Sequence, residues 1–297
     1  MLVTRDMEKV ESIICKLCKC AKYGAVLLLA VCATACNSST STKVKSSYEE
    51  ISPIWADEFD SDGLPSSSNW TYDVGDGCPH ICGWGNNELQ YYTEADTDNA
   101  RVENGHLIIE ARKEPIGDMP YTSARLVTRG LQDWQYGTVE VKALLPTGLG
   151  AWPAIWMLPT ESKYGGWPGS GEIDIMEHVG YYRDSIFGTV HTEAFNHMIG
   201  TQDGGGLQMK DVDQHWHVYK IVWDQQKIDW YLDDVHYHTF TNRNMTSKEW
   251  PFDNAFHLIL NIAVGGSFGG AQGVDEDIWP QRMLVDYVRV YQLRNDN

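Results

Sequence analysis

From Ile51 onward the chain is written in short apolar/polar runs, and this feature does most to restrict its fold. HLIIEARK (106–113), GTVEVKALLP (137–146), IFGTVHTE (186–193), HVYKIVWDQQKIDWYLDDVHYHTF (217–240), HLILNIAVGG (257–266) and MLVDYVRVYQL (283–293) all read as strands. Gly, Pro, Asn and Asp break the runs at regular intervals. No long amphipathic helix interrupts them, so parallel βαβ units are excluded and an all-β sandwich or barrel is expected. Neither an internal repeat nor a second domain is apparent. A length of 297 residues with 42% hydrophobic content suits one large β domain, and 22% charged residues argues against a disordered chain.

One run carries chemistry. Gly171–Gly180 reads GEIDIMEHVG, with carboxylates at Glu172, Asp174 and Glu177. Strand alternation puts Glu172 and Asp174 on one face and Ile173 and Ile175 on the other. Strict alternation would then send Glu177 to the apolar face and bury its charge. One extra residue, a β-bulge near Ile175–Met176, returns Glu177 to the acidic face. A helix would not bring Glu172 and Asp174 together. Three acids on one face repel one another, which is costly unless a site uses them. Retaining glycoside hydrolysis is such a use: one carboxylate attacks and a second acts as acid/base. A solvated strand edge or a cation ladder would carry the same pattern. Trp152, Trp156 and Trp167 lie just upstream, and indoles stack on the apolar faces of sugars. At least one of the three is expected in the core.

The motifs YTSARLVTRG (121–130), YGTVEVKALLPTGLGAWPAIWMLP (136–159) and GEIDIMEHVG together resemble glycoside hydrolase family 16. GWGNNELQYYT (83–93) is similar to its laminarinase branch, the endo-β-1,3-glucanases. The likeness runs from about Ile54 to Tyr291. It implies a β-jelly-roll sandwich of two antiparallel sheets with a concave substrate cleft. It further implies Glu172 as nucleophile, Glu177 as acid/base and Asp174 as assisting carboxylate, acting on β-glucan polysaccharide without an organic cofactor. Asn86 and Arg125, and more weakly Arg129, are implied as sugar ligands. A structural Ca²⁺ is implied at the Glu58 and Asp286 side chains and the Gly105 carbonyl, although these residues would equally serve a plain pairing of terminal strands. Mixed-linkage β-1,3-1,4-glucan, an algal galactan, transglycosylation and a non-catalytic glucan-binding protein are the competing readings. The chain departs from the family at GGSFGG (265–270), where Asn-Trp-Gly or similar is common after the first Gly pair.

Other features fill in the surroundings. His191, in IFGTVHTE, is a candidate to hydrogen-bond the acids or the sugar, or else a satisfied core histidine. His215/His217 and His236/His238 have metal-like HxH spacing, but nothing supplies a third ligand and they read as ordinary strand residues. Lys16, Lys19 and Lys22 precede an apolar run at Ala25–Val31, so residues 1–36 read as a secretory signal. Ala33–Cys36 resembles a lipobox, with lipid on Cys36; simple cleavage and secretion is the alternative. Residues 37–50 read as a flexible linker and 51–294 as the catalytic domain. An exported, lipid-anchored bacterial envelope protein, otherwise a secreted one, is expected, and a monomer. Five of seven cysteines fall in the first 36 residues, which leaves Cys78 and Cys82. A disulfide between them is expected in an exported protein, ahead of a zinc site that lacks further ligands. The formal charge of −18 becomes −20 once five basic and three acidic residues of 1–35 are removed. So acidic a domain disfavours nucleic acid, anionic membranes and sulfated polymers, and membrane contact is expected through a lipid anchor alone.

Overall fold

A computed structural model of the chain describes residues 52–293. The expected signal (1–36), the whole of the expected linker (37–50) and Cys36 lie outside the described residues. The strands in chain order are Trp55–Asp57 (β1), Thr71–Tyr72 (β2), Gln90–Tyr92 (β3), Ala100–Glu103 (β4), His106–Ala111 (β5) and Tyr121–Ser123 (β6). Arg125–Val127 (β7), Gly137–Leu144 (β8), Ala151–Pro159 (β9), Glu172–Glu177 (β10), Ser185–His191 (β11) and Asp203–Gln208 (β12) follow. His217–Trp223 (β13), Lys227–Leu232 (β14), Val235–Thr241 (β15), Phe256–Val264 (β16) and Gln281–Tyr291 (β17) complete the set.

These strands build the expected sandwich. One sheet runs β15-β14-β13-β8-β17-β5-β4, with β1 also on β17; the other runs β12-β11-β10-β9-β16-β7-β2. All pairings within both sheets are antiparallel, and a small parallel pair, β3 with β6, stands apart. In β8 and β13 buried and half-exposed residues alternate, as half-buried strands require. β16, flanked by β9 and β7 inside its sheet, is buried at all nine positions. The core between the sheets holds Tyr219, Trp223, Trp230, Phe252 and Phe256, all fully buried.

The bulge sits where the alternation argument requires it. On β9, Asp174 pairs with Trp156 and Met176 with Ile155; on β11, Asp174 pairs with Thr189 and Glu177 with Phe187. Ile173, Ile175 and Met176 consequently all enter the core, at 0–1% exposure. The opposite sheet holds this irregular segment in place: the Trp230 indole N–H on β14 donates to the Asp174 carbonyl at 2.8 Å. Gly188 lies on β11, and any Cβ there would overlap the Trp230 ring. The indole can cross to the bulge only because position 188 has no side chain.

Candidate active site

The outer face of the second sheet floors a cleft, and period two decides which side chains reach it. β9 contributes Trp152, Ala154 and Trp156; β10 contributes Glu172, Asp174 and, after the bulge, Glu177. β16 adds Asn261 and Ala263, and β7 adds Arg125. With Trp84, Asn86 and Trp167 from loops, they enclose about 270 Å³. A second cavity of about 340 Å³ shares Asn86, Trp152, Glu172 and Glu177 and extends past Phe187, His191 and Phe268. The acids thus stand where two stretches of one groove meet.

Each glutamate is held by an indole. Trp167 donates to Glu172 Oε2 at 2.8 Å, and Trp152 donates to Glu177 Oε1 at 3.0 Å. His191 pairs in register with Glu172; its Nε2 lies 3.7 Å from Glu172 Oε1 and 3.4 Å from Asp174 Oδ2. Burial pushes the Glu172 carboxyl up to about 8; Asp174 adds to the rise, while His191 and the Trp167 N–H oppose it. Burial likewise carries Asp174 to about 8. Glu177 reaches about 8 through burial and then Asp174, against His191 and the Trp152 N–H. Three crowded carboxyls titrate as a unit and are held toward the protonated form at neutral pH, a tendency that His191 and the indole N–H groups oppose at the two glutamates.

Beside the acids, the Arg125 guanidinium lies 4.5 Å from the Trp84 ring centre and 4.7 Å from that of Trp156. Asp73 anchors it, 3.1 Å from Arg125 Nε. The Trp156 N–H donates to Asn261 Oδ1 at 2.7 Å, and Asn261 Nδ2 donates to the Tyr92 hydroxyl at 3.0 Å. Glu88, 8% exposed, accepts from Gln90 at 2.6 Å and from Asn86 at 3.3 Å. Cys78 and Cys82 are joined in a disulfide, and the short turn Cys82–Gly85 that follows presents Trp84.

The structure thus gathers Asn86, Arg125, Trp152, Trp156, Trp167, Glu172, Asp174, Glu177 and His191 in one groove. Its correction concerns the tryptophans. All three line the cleft and none joins the core, where Trp70, Trp223 and Trp230 are the fully buried ones. Arg129 is not in the groove; it pairs with Asp73. The residues expected to hold calcium do not fit it as arranged. Both Glu58 oxygens accept from Arg289, at 2.7 and 2.8 Å, and Asp286 Oδ2 faces Lys142 Nζ at 2.8 Å. Carboxylates already neutralised by cations are poor donors for an ion that takes six to eight oxygens. Gly105 occupies the β4–β5 turn with φ 76°. The HxH histidines face carboxylates: His217 meets Asp233, His236 meets Asp229 and His238 meets Asp203.

Sequence reasoning missed Trp84, Glu88, Asn261 and His197. A signal existed for Asn261, the one polar residue in the interior of the apolar run LILNIAV. Trp84 and Glu88 sit inside the GWGNNELQYYT motif but carry no distinguishing pattern.

Residues 87–289 match the family model "Glycosyl hydrolases family 16". The chain is 55% identical over 246 residues to a β-glucanase of Rhodothermus marinus, covering 80% of this chain and 84% of that protein. It is 39% identical over 251 residues to a glucan endo-1,3-beta-glucosidase of Cryptopygus antarcticus, covering 79% and 90%. The X-ray structure of the laminarinase from Rhodothermus marinus superposes with a TM-score of 0.78 at 53% identity, covering 82% of this chain and 97% of that one. With the bulged triad, the two-sheet frame and these relatives in agreement, the chain belongs to glycosyl hydrolase family 16.

Proposed function

We propose that this enzyme is a retaining endo-hydrolase of laminarin-type β-1,3-glucan. The observation that carries the reading is the bulge, which brings Glu177 onto the face of Glu172 and Asp174 midway along an open groove. Glu172 attacks the anomeric carbon as Glu177 gives its proton to the leaving glycosidic oxygen. Water, losing a proton to Glu177, then displaces the Glu172 ester, so configuration is retained. The neighbours of Glu172 support its role: an indole N–H on one oxygen and an imidazole near the other favour the ionised form. A groove continuing on both sides of the acids suits attack within a chain rather than at its end. Trp156, Arg125 and Trp84 offer stacking and hydrogen-bonding surface on one side, and Phe268 offers it on the other.

The relatives' names supply the polymer: a laminarinase and a glucan endo-1,3-beta-glucosidase. The name β-glucanase leaves the linkage open, so mixed-linkage glucan is the second reading. Export is part of the proposal, and a disulfide in the folded domain suits an oxidising compartment. The test is reducing-sugar release by the purified chain on laminarin, mixed-linkage glucan and agarose in parallel. Laminarin hydrolysis that vanishes in Glu172→Ala is expected. Activity on agarose alone would overturn the substrate. Laminarin binding with no hydrolysis of any polymer would overturn the catalytic reading.

A further inference from the structure

We propose that Glu172, Asp174 and His191 form a binding site for a zinc-class divalent cation, and that the bound cation inhibits the enzyme. One oxygen from each acid and one imidazole nitrogen lie within 4.8 Å of one another. His191 Nε2 is 3.4 Å from Asp174 Oδ2 and 3.7 Å from Glu172 Oε1. In a tetrahedral zinc site with bonds of about 2.0–2.2 Å, ligand atoms are about 3.3–3.6 Å apart. The two edges that meet at His191 are already close to those of such a tetrahedron, and the third is at most 4.8 Å. Two adjacent paired strands hold them, with Glu172 opposite His191 and Asp174 opposite Thr189, so little ordering is needed for binding.

A second, independent feature points to a missing partner. Asp174 Oδ2 is buried without any hydrogen-bond donor, in a residue 4% exposed, and it faces the imidazole. Buried carboxylate oxygens are ordinarily satisfied. A cation between the three groups would satisfy this oxygen and relieve the repulsion between Asp174 and Glu172. The donor set selects the metal class. The imidazole favours zinc-class ions, and the two carboxylate oxygens complete three protein ligands with a fourth position open. Calcium and magnesium demand more oxygens. The open position faces the groove, because Glu172 lines both of its cavities.

The site also limits its own strength. Zinc-bound histidines usually donate their second N–H to an acceptor, and such partners are worth about 10–100-fold in affinity. His191 Nδ1 is buried without one. The cation would therefore be exchangeable, and inhibition reversible. Inhibition rests on the hydrolase reading above: the carboxylate that attacks the sugar is the one that would hold the metal.

The experiment is zinc titration of the full chain by calorimetry, after alkylation of reduced cysteines, together with Co²⁺ absorption as a readout of tetrahedral geometry. The expected result is one equivalent bound, weakened at least about tenfold in both His191→Ala and His191→Gln, given what outer partners alone contribute. The glutamine variant preserves bulk, and near-UV circular dichroism checks that each variant is folded. Laminari-oligosaccharide should displace the metal, and zinc should raise KM while leaving kcat unchanged. Absence of binding, or binding unchanged in both His191 variants, overturns the site. His191-dependent binding in a chain that cleaves no glucan upholds the site and overturns the hydrolase reading instead.

Discussion

Replacing Asp174 by Asn should stabilise the protein at neutral pH while disabling it as an enzyme. Burial holds the Asp174 carboxyl at about 8 against an ordinary 3.8. Between those values the folded chain keeps a proton that the unfolded chain releases. Stability is then full below about pH 4 and falls as pH rises toward about 8. At 1.36 kcal/mol per pH unit, the loss between pH 4 and pH 7 is about 4 kcal/mol. Glu172 and Glu177 share the same protons, so removing one carboxyl should recover about 2–4 kcal/mol of this. Asn keeps the shape and cannot ionise, and for a domain of this size the gain corresponds to about 4–16 °C in Tm. Urea unfolding followed by tryptophan fluorescence at pH 4, 5.5, 7 and 8.5 measures it. The variant should lose much of the downward slope with pH and match the native chain at pH 4. An unchanged slope, or lower stability at pH 7, would refute the claim that the site stores this penalty. Activity should drop together with the gain, a direct case of stability given up for function.

Other expectations test separate parts of the site. Activity should fall as pH rises through about 8, where the Glu177 acid is lost; on an aryl glycoside whose leaving group needs no proton, Glu177→Gln should still release the aryl group in a first-turnover burst without that alkaline limb, while later turnover slows for want of the base. Asn261→Ala strands the Trp156 N–H and removes the donor to the Tyr92 hydroxyl, which keeps its bond to Glu88; this should cost about 1–3 kcal/mol in urea unfolding and raise KM for laminarin. Gly180→Ala places a Cβ against the Gly148 carbonyl where the two backbones meet, and should cost about 3 kcal/mol, read as a lower thermal midpoint.

The groove also explains how family chemistry and individual character coexist. The triad and its indoles lie on regular strands, where register fixes position. Phe268 lies in the GGSFGG segment and packs edge-on to Trp152, with ring centres 5.6 Å apart. It also approaches Phe187 at 5.7 Å. The segment therefore sits against the indole that holds Glu177, so variation there can alter the sugar surface without moving the acids.

Local pattern determined the fold class and the acidic strand. Alternation has a range of a few residues, and one misplaced acid in GEIDIMEHVG was enough to require a bulge. Partner choice is not local. Asn261 meets Trp156 from 105 residues away and Tyr92 from 169. Composition does not separate a core indole from a sugar-facing one. Alternation places Trp152 and Trp156 on one face of β9, but which face points to the core depends on the opposite sheet. Trp223 and Trp230 on β13 and β14 fill that space, leaving the three upstream indoles to the groove. Likewise Glu58 and Asp286 are acidic at the expected positions, yet Arg289 and Lys142 reach them only once β17 is paired with β1 and β8. Period and charge order were written in the sequence; which groups neutralise, bury or expose one another was decided when the two sheets closed.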